Sequence, residues 1–410
     1  MKKYWKFTAI IAVIVLSIGT FYVNSAISAD QNPEFVIKKE SGDTKELEPL
    51  VLEGSYQGAS SGKYISRGLE LTGQGTEYRN PSFLNRLIGS PAPVIERLQE
   101  QYRGFMRGKS PSEHLFFEND RFLAYANVDY EIGFNSRETK DHTFEIDILN
   151  KKEDSIDSFA IIVPGANRMD HMFVDDVQII NGELNIITQN MVRDNNRDRL
   201  YSEKHIYTID MANQKFIKHE PIIKEPKGQD NTHFDIKFIE AEGSTNMHEK
   251  LLFLTTEREV IKDRESTRLG ETSREVISYN LITKEKRKLS EDLNLEENEI
   301  SAFDGSAIYL TKVNGQKLMV TPFHLEKKKR GDSYLFQLSD KPMNEVPPLI
   351  KIKDGKLYAA SNRMNSNTTA SVIVADLKTG DSLFKGELSI KDSEDEIEDY
   401  DLYIHDIFVK

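Results

Sequence analysis

Adjacent acidic residues are the side chains of this sequence that come closest to a catalytic arrangement. Asp175 and Asp176 are neighbours, and Asp304 occurs in a later segment of similar pattern. Glycoside hydrolysis uses two carboxyl groups about 5 to 10 Å apart, one as an acid and the other as a base or nucleophile. Because 67 of the 410 residues are Asp or Glu, acidic pairs also arise by chance, and the sequence assigns no catalytic residue.

Another polar run has the spacing of calcium ligands. Asp194, Asn196 and Asp198 follow the D-x-N-x-D pattern, which turns alternate side chains toward one ion. Arg199 occupies the position of the glycine that permits the tight turn, and His205 stands where a bidentate Glu is needed. We therefore interpret the run as a solvated loop between two strands. Calcium at these three residues stays the alternative, and no other cofactor is predicted.

Two further motifs lack residues that their chemistry requires. The segment at residues 58–64 resembles a phosphate-binding loop, but Gln57 replaces its first glycine and Tyr64 its Ser or Thr. His248 precedes Glu249 without the second His of a zinc-protease helix. Neither motif predicts a site.

A dense acidic run lies near the C-terminus, with seven Asp and Glu residues in the ten positions 392–401. Such a run is typical of a solvated turn. The functional alternatives are a docking patch for a basic partner or weak binding of divalent cations.

Composition excludes several classes of protein. The net charge of −13 argues against a nucleic-acid binder, since phosphate contacts require a basic surface. The absence of Cys excludes disulfides, zinc–thiolate sites and iron–sulfur clusters. Hydrophobic residues make up 38% of the chain, which is enough for a sizeable core and excludes wholesale disorder.

The N-terminal segment has the features of an export signal. Lys2, Lys3 and Lys6 precede an uncharged apolar run at residues 7–23, and small residues follow up to Ala29. We predict that residues 1–29 are a cleaved signal peptide or an uncleaved membrane anchor. Both alternatives place the rest of the chain, with a net charge of −16 after loss of three Lys, outside the cytoplasm. The lack of Cys favours a Gram-positive-type bacterial envelope.

The exported chain divides into a short polar part and a long repetitive part. Residues 30–48 are predicted to be a polar spacer and residues 49–410 a single repeat domain. Pro91-Ala92-Pro93 opens one predicted helix at residues 94–107, a short helical insertion. Most of the remainder alternates with a period of two between turn signals, as strands do.

A repeated unit begins with a turn followed by a short apolar strand. Four copies contain Asn119-Asp120, Asn181-Gly182, Asp304-Gly305 and Asp354-Gly355, and a degenerate copy begins near His248. Asn-Gly and Asp-Gly pairs favour β-hairpins because both central positions of a type I′ turn need a positive φ. Each copy also contains a second strand that ends in a polar turn.

One of these later turns resembles a turn of quinoprotein-like β-propellers, through Ala375, Asp376, Thr379 and Gly380. Phe384 lies where that family has a Trp, and the resemblance implies a propeller architecture without a cofactor. We therefore predict an all-β fold, a β-propeller of about five to seven four-stranded blades. The alternating run at residues 400–409 is predicted to be a strand that completes the first blade.

The function predicted from these features is non-catalytic binding of another envelope or membrane protein, in a regulatory or sensor accessory role. The alternative is an extracytoplasmic hydrolase or lyase acting on a glycan or another polymer. Nucleic acid is not expected as a partner. A membrane association is expected if the N-terminal segment is retained.

Overall fold

A computed structural model describes ten segments of the chain. They are residues 32–60, 63–78, 91–132, 139–194, 199–226, 231–243, 245–262, 267–338, 347–391 and 400–410. The predicted export segment at residues 1–29 and most of the acidic run at residues 392–401 lie outside them. Across these ten segments, no helix combines the length and the apolar character that crossing a bilayer requires.

Strands dominate the described residues, and they fall into an N-terminal, a central and a C-terminal group. The N-terminal strands are β1 (Phe35–Gly42), β2 (Leu50–Ser60), β3 (Lys63–Thr72) and β4 (Gly75–Tyr78). The central strands are β5 (Phe116–Glu118), β6 (Phe122–Ile132), β7 (Thr139–Asn150), β8 (Ser155–Ile162), β9 (Met169–Ile180), β10 (Glu183–Asp194), β11 (Arg199–Asp210), β12 (Lys215–Lys224), β13 (Thr232–Ile239), β14 (Lys250–Lys262), β15 (Thr267–Asn280), β16 (Lys286–Lys288), β17 (Glu299–Phe303), β18 (Ala307–Asn314), β19 (Lys317–His324), β20 (Lys329–Arg330) and β21 (Tyr334–Gln337). The C-terminal strands are β22 (Leu349–Lys353), β23 (Lys356–Ala360), β24 (Arg363–Asn365), β25 (Ser371–Asp376), β26 (Ser382–Ile390) and β27 (Tyr400–Val409).

These strands form six antiparallel sheets of four or five strands, the repeated blades of a β-propeller. Four sheets contain consecutive strands, in the orders β5-β6-β7-β8, β9-β10-β11-β12, β13-β14-β15-β16 and β17-β18-β19-β20. The other two have the orders β1-β26-β25-β23-β22 and β24-β27-β2-β3-β4. The predicted fold class is confirmed, and six sheets lie within the predicted range.

The chain separates into two compact units, where the sequence predicts one repeat domain over residues 49–410. The four-sheet unit contains Ile88–Phe336 with Lys351–Gly355, and the two-sheet unit contains the remaining residues. The cleft and the exposed strand edge described below both lie within the four-sheet unit.

Two of the predicted hairpin turns have the expected geometry. Asn181 and Gly182 have φ values of 53° and 82°, and Asp354 and Gly355 have 52° and 72°, as a type I′ turn requires. The turn at Asn119 is built differently, since its side-chain oxygen accepts hydrogen bonds from the backbone N–H groups of residues 121 and 122. Turn chemistry at these sites therefore fixes where the first strand of a sheet ends and the second begins.

The turn that resembles a turn of quinoprotein-like propellers is a hairpin turn held by side-chain-to-backbone hydrogen bonds. Asp376 accepts hydrogen bonds from the backbone N–H groups of Lys378 and Thr379, at 2.6 and 3.0 Å, and Gly380 has a φ of 79°. The same arrangement, an Asx residue followed four positions later by a residue of positive φ, recurs at Asn150 and Asp154, Asp210 and Gln214, and Asn280 and Lys284. The motif accordingly ends the third strand of a sheet.

Strands from both ends of the chain complete the two-sheet unit. The predicted C-terminal strand, β27, pairs antiparallel with β2, as expected. Residues 30–48 do not form the predicted spacer throughout, because β1 pairs with β26 from Phe35 to Gly42. Phe35 is fully buried, so its burial and the added backbone hydrogen bonds hold this segment in the sheet.

The predicted helix at residues 94–107 is present in two pieces. Helix α1 covers Pro93–Gln101 and helix α2 covers Arg103–Met106. Tyr102, between them, has φ −125° and ψ 49°, which interrupts the helical backbone. Ile95 and Leu98 of α1 are fully buried and attach the insertion to the core of the four-sheet unit. A third helix, α3, is a single turn at Ser290–Leu293.

Candidate functional site

A cleft lies between β9 and β13, the first strands of two consecutive sheets. Its volume is about 460 Å³, within the range of small-molecule sites. Below the cleft the two sheets pack through apolar residues that include Ile187, Ile206 and Phe253. The sheet β9-β10-β11-β12 therefore has two kinds of surface toward its neighbour. Apolar side chains pack against the next sheet, and polar side chains line the cleft.

Strand β9 is interrupted where it borders this cleft. Its pairing with β10 shifts by one residue between Val174 and Asp176, which leaves Asp175 without an opposite residue. A second shift leaves Asp170 in the same position. Such bulges re-aim side chains and break the regular edge of a strand. Both bulged acids bind a cation of their own sheet, Asp170 through Arg193 and Asp175 through Lys204.

A row of three side chains crosses the sheet beneath the cleft. Gln189 of β10 stands opposite both Phe173 of β9 and Lys204 of β11, so all three project from one face. The Phe173 side chain is 55% exposed, whereas Lys204 is 2% exposed. The row thus places an open aromatic ring beside a buried cation.

Lys204 and Asp175 form an ion pair at the floor of the cleft. Lys204 Nζ donates a hydrogen bond to Asp175 Oδ2 over 2.7 Å. Burial lowers the pKa of Lys204, and the Asp175 carboxylate opposes that shift. Each ion neutralises the other in a poorly solvated place, so neither can be removed alone without leaving a buried charge.

The contacts of Asp176 are those of a structural residue. It is buried, and both of its carboxyl oxygens contact Gln178 Nε2, at 3.1 and 3.2 Å. Burial raises the pKa of Asp176 to about 8, so this carboxyl group is protonated at neutral pH. Gln178 in turn accepts a hydrogen bond from the backbone N–H of His248 at 2.9 Å. The cavity beside Asp176 measures about 10 Å³, room for about one water molecule.

The third acid predicted as a candidate, Asp304, does not line the cleft. It accepts hydrogen bonds from the backbone N–H groups of Ser306 and Ala307 and from the Tyr309 hydroxyl, at 2.7 to 2.8 Å. These bonds together hold the pKa of Asp304 below its usual value although burial opposes them. Asp304 is therefore a turn residue, and the structure does not bring it together with Asp175 and Asp176.

The predicted calcium ligands fall at the end of β10. Asp194 is the last residue of that strand and pairs with Arg199 of β11, while Asn196 and Asp198 lie outside the described residues. Within the ten described segments, no group of three or more His, Asp or Glu side chains is placed to hold a metal ion.

Gly58–Gly62 also carries the letters of a G-x-S-x-G nucleophile motif. In hydrolases that motif joins a strand to a helix. Here it belongs to a hairpin in which Ser60 of β2 pairs with Lys63 of β3.

A second candidate surface is the free edge of β8, the outer strand of the first sheet in the four-sheet unit. Among the described strands β8 pairs with β7 alone. Ile156 and Ile162 are 48% and 72% exposed, and Ser158 and Ala160 between them are exposed as well. Phe159 and Ile161 turn the other way and pack against the core. The exposed face of β8 is thus an apolar strip on an unpaired edge.

Two other outer strands carry basic residues, as edge strands commonly do. Strand β12 contains Lys215, Lys218 and Lys224, and β1 contains Lys38 and Lys39. Strand β8 has the sequence SIDSFAII, without Lys or Arg. Sequence reasoning missed this edge, although the absence of a basic residue was visible there.

Sequence reasoning also missed Phe173 and Lys204. The sequence gives no clear signal for Lys204, because residues 202–205 of β11 are all polar and their burial is known only from the structure. Nine consecutive residues of this strand are buried, and charged residues are rarely so placed unless paired.

Comparisons with known proteins identify no family. No family profile and no curated protein match the chain. Solved structures similar to it include polysaccharide lyase Uly1, at 10% identity and a TM-score of 0.33 over 70% of this chain and 57% of that one. An acylaminoacyl peptidase complex has 10% identity and a TM-score of 0.31, over 83% of this chain and 45% of that one.

A third similar structure is the β-propeller domain of the Trilobed protease from Pyrococcus furiosus. It has 8% identity and a TM-score of 0.23, over 89% of this chain and 98% of that domain. The chain spans about half of the length of the lyase and the peptidase. At these TM-scores the similarities carry no argument about activity.

Proposed function

We propose that this protein is a non-catalytic, extracytoplasmic β-propeller that binds another envelope or membrane protein in a regulatory or sensor accessory role. The observation that supports the proposal most strongly is the apolar, unguarded edge of β8. The export-signal features of residues 1–29 support the location outside the cytoplasm.

The edge of β8 suits an added strand from a partner. An unpaired strand offers backbone N–H and C=O groups to a second chain, and exposed side chains of alternate residues give specificity. Ile156 and Ile162 lie 6 positions apart on one face, so they would contact two apolar side chains of the incoming strand. An edge with this composition also favours aggregation unless it is covered.

The charge around β8 indicates the chemistry of the partner strand. Asp157 is the one charged residue of β8, and on β7 the exposed Glu145 stands opposite Ala160. Asp147, two residues further on, is paired with Lys109 at 2.9 Å. A partner segment that alternates apolar residues with Lys or Arg therefore complements this edge.

The test is a pull-down from cross-linked membranes with the wild-type protein, Ile162→Lys and a matched control. Ile217→Lys is the control because Ile217 is 53% exposed on β12, which already carries basic residues. We expect a stoichiometric membrane partner with the wild type and with Ile217→Lys, and its loss with Ile162→Lys. Failure to recover any partner, or retention by Ile162→Lys, contradicts the proposal.

A second candidate function is hydrolysis or elimination on a glycan or another polymer, with Asp175 and Asp176 as the acidic pair. The observation in its favour is that burial perturbs both carboxyl groups, raising the pKa of Asp175 and raising that of Asp176 to about 8. A raised pKa lets a carboxyl group act as a general acid near neutral pH. Incubation of purified protein with polysaccharides tests it. Turnover that is abolished by Asp176→Asn would support this function.

A further inference from the structure

The cleft between β9 and β13 is a binding site of its own, separate from the edge of β8. Its floor consists of the Lys204–Asp175 ion pair and Gln189, and one wall presents the exposed ring of Phe173. We propose that this cleft binds a neutral saccharide.

The cleft is lined by charges of both signs, Asp175, Asp235 and Glu240 together with Lys204 and Lys237, and the pair at the floor favours an uncharged ligand there. Lys204 and Asp175 already neutralise each other at 2.7 Å, and Lys204 is almost fully buried. A carboxylate brought to Lys204 would meet Asp175, and an ammonium group brought to Asp175 would meet Lys204. Each would leave a third charge uncompensated where solvent is scarce, which is costly.

The same floor retains hydrogen-bonding capacity. The ammonium group of Lys204 has three N–H donors, and among the described residues Asp175 is its one hydrogen-bond acceptor. Asp175 uses Oδ2 in this bond. Gln189 donates from Nε2 to the Ser202 hydroxyl. Donors and acceptors therefore lie side by side, and a hydroxyl group, which both donates and accepts, can satisfy them together.

Phe173 supplies an apolar surface next to these polar groups. A pyranose ring has an apolar face of C–H groups and a rim of hydroxyls, so it can rest on the Phe173 ring while its hydroxyls reach Lys204, Asp175 and Gln189. The one Trp of the chain, Trp5, lies in the predicted export segment, and Phe173 provides the aromatic platform instead. The volume of about 460 Å³ accommodates more than one sugar ring.

An extended peptide fits this cleft less well. Strand addition needs a regular edge, and the edge of β9 is interrupted at Asp175 and again at Asp170. An interrupted edge still permits recognition through the side chains of the protein, and a saccharide is bound in this way.

The experiment is calorimetric titration of the purified protein with maltotriose, cellotriose and chitotriose. It requires no other protein, so its outcome is independent of whether β8 binds a partner. We expect at least one trisaccharide to bind with 1:1 stoichiometry. Phe173→Ala is expected to weaken that binding about tenfold through loss of the stacking surface, and Gln189→Ala to weaken it further. Leu335→Ala, an exposed residue outside the cleft (61%), is the control and is expected to bind as the wild type does.

The proposal is overturned if none of the three trisaccharides binds. It is also overturned if binding survives both Phe173→Ala and Gln189→Ala, since the ligand would then lie elsewhere. Neither substitution removes a buried charge, and a thermal melt of each variant verifies that it is folded.

Discussion

Strands β8 and β9 follow one another in the chain, and each has one unpaired edge among the described strands, yet the two edges are built in different ways. The edge of β9 is broken at two bulges, and the two bulged acids, Asp170 and Asp175, form ion pairs with the same sheet. Strand β8 pairs with β7 along its other edge without a register shift, and it exposes isoleucine side chains. The comparison indicates that β9 is suited to recognition through side chains, whereas β8 is suited to bind through its backbone.

The largest expected effect comes from breaking the ion pair beside β9. Lys204→Ala leaves the Asp175 carboxylate buried without its cation, and we expect the free energy of unfolding to fall by about 3 kcal/mol. Chemical denaturation measures this change.

The double variant Lys204→Met, Asp175→Leu sharpens the same test. Because it removes both charges and retains apolar volume, we expect it to recover most of the lost stability. A double variant as unstable as Lys204→Ala would show that packing, and not the charge, determines stability at this position.

A pH-dependent effect is expected at Asp176. Its folded-state pKa of about 8 lies above the usual value of 3.8, so the folded protein binds the proton more tightly than the unfolded chain does. The stabilisation is complete below about pH 3.8 and is lost as the pH rises through about 8. Asp176→Asn removes this loss, so its stability relative to the wild type should rise as the pH increases from about 4 to about 8.

Thermal or chemical unfolding of both proteins at several pH values provides the measurement. Gln178→Ala is a useful companion variant, because it removes the hydrogen bonds to Asp176 and leaves the carboxyl group in place. A stability difference between wild type and Asp176→Asn that stays constant with pH would contradict the protonated state.

The smallest expected effect on stability is at β8. Ile162→Lys replaces a side chain that is 72% exposed, so the free energy of unfolding should change by no more than about 0.5 kcal/mol. The same substitution should reduce self-association at high concentration, because it introduces the basic residue that β8 lacks. Light scattering measures the self-association of the wild type and of Ile162→Lys. Equal self-association of the two proteins would indicate that the exposed edge of β8 does not mediate it.

Much of the fold was predictable because it depends on local patterns. Alternating hydrophobicity and the Asn181-Gly182 and Asp354-Gly355 pairs fix strand ends without reference to the rest of the molecule. The pairing of β1 with β26 was not predictable, because Phe35 and its partner residue Ile390 are distant in sequence. The polar residues around Phe35 also hide its burial.

The candidate site was predictable only in part. The neighbouring acids Asp175 and Asp176 were visible in the sequence, but their separate roles depend on a bulge and on Lys204 two strands away. Such positions come from register between strands, which a single sequence does not specify.

Photo-cross-linking tests the proposed binding role most directly. A photoreactive amino acid is placed at position 162 on β8 or at position 217 on β12, and the protein is irradiated at the surface of its own cells. We predict a cross-link from position 162 to one membrane or envelope protein and none to that protein from position 217. The absence of an adduct at position 162, or the same adduct from both positions, would contradict the account.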